Sequence, residues 1–233
     1  MEGWIEWARG PLFQAALIFM VLGLLRHAAL TVWEMARAVR RAGDKSIPYR
    51  KVAAATLGWL VPARKAGNRW PVSLTSFAFH VAIIVTPLFL AGHIALWRRG
   101  VGLSWPAIPG SLADVLTVLA VVTAVILMVE RAAARASRVL SRFEDYALPV
   151  VIAVPFASGF LVTHPGASPF SFESVFLVHI LSADLLLILI PLTKLSHMIL
   201  LPGTQLVSEL AWHFPPDAGH RVAVILGKEN QPI

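Results

Sequence analysis

Five long apolar stretches constrain this chain more than any other feature of its sequence, because each is long enough to cross a bilayer as a helix. They run over Leu12–Trp33, Leu74–Trp97, Leu112–Val129, Tyr146–Leu161 and Val175–Leu200. The fourth is the shortest and carries Pro149 and Pro155. Backbone in hydrocarbon must satisfy its own hydrogen bonds, so each stretch is expected to be helical. The first begins too late and runs too long for a cleaved signal, and MEGWIEWARG before it is not a basic leader, so it reads as a retained helix. Composition agrees: 57% of the 233 residues are hydrophobic, 14% are charged, and the mean hydropathy is +0.71. The net charge of +7 does not make this a nucleic-acid binder, since so apolar a chain has no solvated basic face to offer.

Orientation follows from the positive charges. Arg37, Arg40, Arg41, Lys45, Arg50, Lys51, Arg64, Lys65 and Arg69 lie between the first two segments, and Arg131, Arg135, Arg138 and Arg142 between the third and fourth. The opposite side has only Arg9, Arg98 and Arg99. The expected fold is therefore all-α and integral to the membrane: five transmembrane helices over residues 1–203, N-terminus outside and C-terminus inside. Residues 204–233 form an inner-face tail, apolar enough to pack on a partner subunit. Residues 51–62 are expected to form a short helix on the inner surface. Asp114 and Glu173, and Glu144 with Asp145, are expected to open helices, where a carboxylate complements the positive helix end.

With no cysteine, disulfides, thiolate clusters and covalent haem attachment are excluded, so a redox centre would need other ligands. Histidine supplies eight. His80 and His93 fall in the second segment, His179 and His197 in the fifth. The two segments run in opposite directions, so His80 and His197 share the inner depth and His93 and His179 the outer one. An unpaired imidazole in hydrocarbon is costly, and coordination of iron is one way to remove that cost. Two antiparallel helices carrying two histidines each would clamp two flat macrocycles, one near each membrane face, in a dihaem bundle. Eighteen residues separate His179 from His197, which on a continuous helix returns to the same face after about 27 Å. Thirteen separate His80 from His93, leaving them about 140° out of phase on an ideal helix, so a kink is expected at Pro87. The alternative is that the four histidines hydrogen-bond one another in a haem-free anchor.

The patterns Phe79-His80 and Gly92-His93, LSWPAIPGSLADVLT over residues 103–117 and VHILSADLLLILIPLTKLSHM over 178–198 resemble the membrane cytochrome b subunit of the respiratory nitrate reductase gamma family. The longer interval between the second-helix histidines, and the lack of a lysine at that helix's outer end, make the chain most similar to the branch paired with heterodisulfide-reductase-like iron–sulfur proteins. The resemblance implies a multi-pass subunit of a bacterial or archaeal cytoplasmic membrane binding two haem b, the inner by His80 and His197, the outer by His93 and His179. It implies electron exchange between a quinone or quinol at the outer side and an inner-face iron–sulfur subunit, in either direction. Such a chain is part of an oxidoreductase and not a complete enzyme.

Other polar residues are assigned around that frame. Arg26, Arg142 and Lys194 at the inner level, and Arg98 and Arg99 at the outer, are candidates for haem propionates. His27 is the alternative inner ligand. Arg98, Arg99, Asp114 and His164 are the outer polar candidates for a quinone site, His164 as a loop residue able to touch a substrate. Asp184 sits in the middle of the fifth segment, where a carboxylate is a functional candidate, for protons or for a hydrogen bond to a ligand histidine.

Overall fold

The computed structural model describes residues 1–42, 48–59, 70–210, 218–225 and 227–228. In chain order its helices are α1 (Glu2–Trp7), α2 (Phe13–Ala42), α3 (Tyr49–Trp59), α4 (Trp70–Phe89), α5 (Ala91–Val101), α6 (Gly110–Ala133), α7 (Arg135–Leu140), α8 (Glu144–Thr163), α9 (Phe172–Leu192), α10 (His197–Ser208) and α11 (Ala218–Ile225). Between α1 and α2 the helix widens into a π turn, Ala8–Leu12. Pro11 is the cause, since it has no N–H to give to Trp7, and the Phe13 N–H reaches back to the Ala8 carbonyl instead.

Among the described residues, five helical stretches are long and apolar enough to cross a membrane: Glu2–Arg37, Trp70–Phe89, Gly110–Ala133, Glu144–Thr163 and Phe172–Leu192. This is the layout of a multi-pass membrane protein. The described part of the expected short helix at 51–62 is helical within α3, while residues 60–62 lie outside the described residues. Two of the five segments depart from continuous helices. The second breaks at Leu90, whose extended backbone (φ −71°, ψ 130°) separates α4 from α5. The fifth ends at Leu192, and after a 3-10 turn at Lys194–Ser196 a separate helix opens on His197. The same-face argument for His179 and His197 therefore fails, because it needs one unbroken helix between them.

The chain divides into two compact units, Met1–Leu17 with Ala66–Leu187, and Ile18–Lys65 with Ile188–Ile233. In the first, α4 packs on α6 and α6 on α8. Burial of Ala82, Ala113, Ala120 and Ala124 lets the backbones approach closely, which is how helices associate where lipid removes the hydrophobic drive. Thr117, Thr123 and Ser158 bond their hydroxyls back to Ala113, Leu119 and Val154, so these three buried hydroxyls are satisfied within their own helices. Ile5 and Ala8 pack on Ile180 of α9, with Leu12, Phe176 and Leu177 around them.

In the second unit a Cβ on Gly23 would stand 2.5 Å from Pro191 Cβ, and one on Gly203 would overlap Thr31 Cγ2, so both contacts exist only because these residues are glycine. Leu206 and Leu210, in the tail expected to pack on a partner, pack on Val52 of α3. The helix-opening carboxylates divide. Glu144 and Asp145 lie in the first turn of α8, where Asp145 Oδ2 accepts the Arg142 N–H at 2.8 Å, and Glu173 lies in the first turn of α9. Asp114 does not cap: α6 starts four residues earlier behind Pro109, and the Asp114 carboxylate turns to His164.

Candidate functional site

The break at Leu90 leaves the last carbonyls of α4 without the N–H groups that a continuing helix would supply. Three successive ones are taken up from elsewhere. His93 donates from Nδ1 to the Pro87 carbonyl at 3.0 Å, Trp105 from Nε1 to Leu88 at 2.8 Å, and the Ile108 N–H to Phe89 at 3.0 Å. The interruption is thus a hydrogen-bonded corner, and His93 is one of the groups that closes it. Gly102 ends α5 in the left-handed region (φ +74°), turning the chain toward Trp105.

His179 of α9 faces His93. The two imidazoles are parallel to within 7° with centroids 6.0 Å apart. His179 Nδ1 donates to the Pro155 carbonyl of α8 at 2.8 Å, so in both histidines the Nδ1 edge is spent on a backbone carbonyl and Nε2 is the nitrogen left to present. Gly159 of α8 makes the approach of His179 possible. A Cβ there would lie 2.9 Å from His179 Cε1 and 3.1 Å from Nδ1.

The 6.0 Å between ring centres is the size expected for two imidazoles meeting end-on through Nε2 at one metal, two bonds of about 2 Å plus about 1 Å from each Nε2 to its ring centre, whereas the two rings here are stacked. No group of three or more His, Asp or Glu that could hold a metal converges among the described residues. A pair suffices only for a metal that brings its own equatorial ligands, as a porphyrin iron does.

His80 follows the same pattern, with Nδ1 bonded to the Ser76 carbonyl at 2.6 Å and Phe79 packed edge-on at 5.6 Å. His197 does too, with Nδ1 bonded to the Lys194 carbonyl at 2.8 Å at the start of α10. His80 belongs to the first unit and His197 to the second. His27 is reversed. Its Nε2 lies 2.8 Å from the Pro191 carbonyl, whereas the other four each meet a backbone carbonyl through Nδ1.

A protein of Nitratidesulfovibrio vulgaris (strain Hildenborough) is 34% identical to this chain over 198 residues, which cover 82% of this chain and 85% of that one. The chain belongs to that protein's family. No family model matches this member of it, and no solved structure does.

The remaining candidates are dispersed over this family member. Arg26, Arg98, Arg99, Arg142 and Lys194 are all exposed, and Arg99 Nε reaches only its own helix, at Ala95. Asp184 is 2% exposed, and neither carboxylate oxygen has a hydrogen-bond partner among the described residues. It lies one turn below Ile180, on the side of α9 that packs against the N-terminal helix. His164 Nε2 lies 3.5 Å from Asp114 Oδ2. Sequence reasoning missed Gly159, Trp105, the carbonyls of Pro87 and Pro155, and the pairing of Asp114 with His164. A glycine inside an apolar helix was the legible signal for the first. The pairing joins two helix ends fifty residues apart and leaves no local signal.

Proposed function

We propose that this chain is the membrane-embedded dihaem cytochrome b subunit of a respiratory oxidoreductase complex, carrying electrons between a quinone or quinol at the outer side and an inner-face iron–sulfur partner. His93 and His179 hold the outer haem, His80 and His197 the inner one. The observation that supports this best is the opposed, parallel pair of His93 and His179, each fixed by an Nδ1 bond to a carbonyl next to a break or a proline. Haem bound there supplies one-electron redox chemistry, which none of this chain's side chains can perform. The protein's part is to fix both ring planes and their tautomers, to exclude water with the apolar walls of α4, α6, α8 and α9, and to span the bilayer. The excess of Lys and Arg in the 1–2 and 3–4 connections sets the outer and inner sides, and the basic inner face suits an acidic partner.

Purified protein should show a reduced b-type absorption band and two haems per chain. His93→Ala and His179→Ala should each remove one haem, and the same one. A wild-type protein without the band would establish the haem-free anchor instead, and variants that keep both haems would overturn the assignment of His93 and His179 as ligands.

A further inference from the structure

A groove of about 300 Å³ lies between α6 and α8, lined by Val118, Val121 and Val122 from one side and by Ala157, Phe160 and Leu161 from the other. Thr117 also lines it, but its hydroxyl is bonded to Ala113, so the walls present apolar surface. The polar groups stand at one end. The Phe160 ring lies against the His164 imidazole at 4.3 Å and 18°, and His164 Nε2 faces Asp114 Oδ2 one turn of α6 away from Thr117 and Val118. His164 is held by its other nitrogen, with Nδ1 3.0 Å from both the Phe160 carbonyl and the Thr163 hydroxyl. That carbonyl only accepts, so Nδ1 carries the proton and Nε2 is the nitrogen turned to the carboxylate.

At 3.5 Å, Nε2 and Oδ2 are farther apart than a good hydrogen bond and each has capacity left. A hydroxyl placed between them can donate to either, and a carbonyl can accept from Nε2 when His164 is protonated. This matches the two forms of one oxygen of a quinone head group, while the valines and Phe160 match its ring. α8 also connects the groove to the haem ligand pair. Gly159 lies against His179 and its neighbour Phe160 lines the groove.

The geometry points to the α6–α8 groove as the binding site for a lipid-borne quinone or quinol ring, with one ring oxygen held by His164 and Asp114. This rests on the quinone-linked reading above and locates its substrate on a helix pair that supplies no haem ligand. It also gives Asp114 a role as a substrate-binding residue.

The test uses the purified, haem-loaded protein in lipid nanodiscs and a heptyl-hydroxyquinoline N-oxide, a fluorescent quinol analogue whose emission falls on binding. Asp114→Asn, His164→Gln and the groove-filling Val118→Trp should each weaken binding by about tenfold or more, the effect of losing one hydrogen bond to a charged group or the space for the ring, with haem content unchanged. Unchanged affinity in all three, with both haems present, would overturn the site and mark the groove as filled by acyl chains alone. Absence of haem from the wild type would instead overturn the reading on which the site rests. Asp114→Asn alters neither a helix cap nor a buried contact, so it remains informative should the tryptophan variant fail to fold.

Discussion

Substituting Gly159 separates a packing glycine from one that positions a ligand. A methyl group at Gly159 would stand 2.9 Å from His179 Cε1, half an ångström inside the 3.4 Å at which ordinary contact begins. The imidazole cannot simply retreat, because its Nδ1 is tied to Pro155 at 2.8 Å, and a shift of that size takes the bond beyond its normal range. Overpacking of this kind costs about 1–3 kcal/mol, whereas replacing glycine by alanine inside a helix returns about 1 kcal/mol, so Gly159→Ala changes fold stability by about 0–2 kcal/mol. Gly92 is the control. It adjoins His93, and a Cβ there meets nothing within 4 Å, so Gly92→Ala gains the propensity without the clash. The assay is haem per protein by pyridine haemochrome, with the midpoint potentials of the haems retained. Gly159→Ala should shift one potential and Gly159→Val should lower the ratio from two toward one, while Gly92→Ala changes neither. Two haems with unaltered potentials in both Gly159 variants would refute the assignment of His179 as a ligand held against α8.

Trp105→Phe removes the donor to the Leu88 carbonyl at the α4–α5 corner; it should cost about 1 kcal/mol in thermal unfolding and shift the potential of the same haem that Gly159→Ala perturbs, and no shift would show that the corner does not set His93. Asp184→Asn keeps the shape of a buried side chain whose oxygens have no described partner, so the unfolding temperature in detergent should hold or rise; a fall equivalent to about 1 kcal/mol or more would reveal a counter-charge.

The membrane layout was legible because it depends on apolar length alone, and all five spans lie where hydropathy places them. The nearness of the His93 and His179 rings, 6.0 Å between centres, also agrees with their order and depth, which survive a kink. Phase does not. The eighteen-residue argument for His179 and His197 assumed a regular helix through Pro191, yet α9 stops at Leu192 and His197 begins another helix. In the second segment the mismatch of about 140° on an ideal helix led to the expectation of a kink at Pro87, and the helix breaks three residues later, at Leu90. Asp114 was misread for a related reason. A carboxylate near a helix start resembles a cap, and only the position of Pro109 shows that the helix had already begun.

Two backbone carbonyls, those of Pro87 and Pro155, explain how the imidazoles are aimed. In hydrocarbon, a backbone carbonyl without its helical donor must find another within the protein. Pro87 ends regular bonding toward Ile83, the chain leaves the helix three residues later, and the Pro87 carbonyl, in the last turn of α4, is taken by His93. Pro155 lies inside α8, and the residue four positions on, whose side chain would stand beside its carbonyl, is Gly159. That carbonyl accepts from the Ser158 hydroxyl at 3.3 Å, and His179 reaches across from α9 to bond it more closely, at 2.8 Å. In the first case the end of α4 at Leu90, and in the second the missing side chain of Gly159, leaves the carbonyl open to an imidazole, and bonding through Nδ1–H turns Nε2 away from that carbonyl. The orientation of His179 is thus set by a glycine and a carbonyl on α8, and no heptad or helical-wheel pattern on α9 itself could have encoded it.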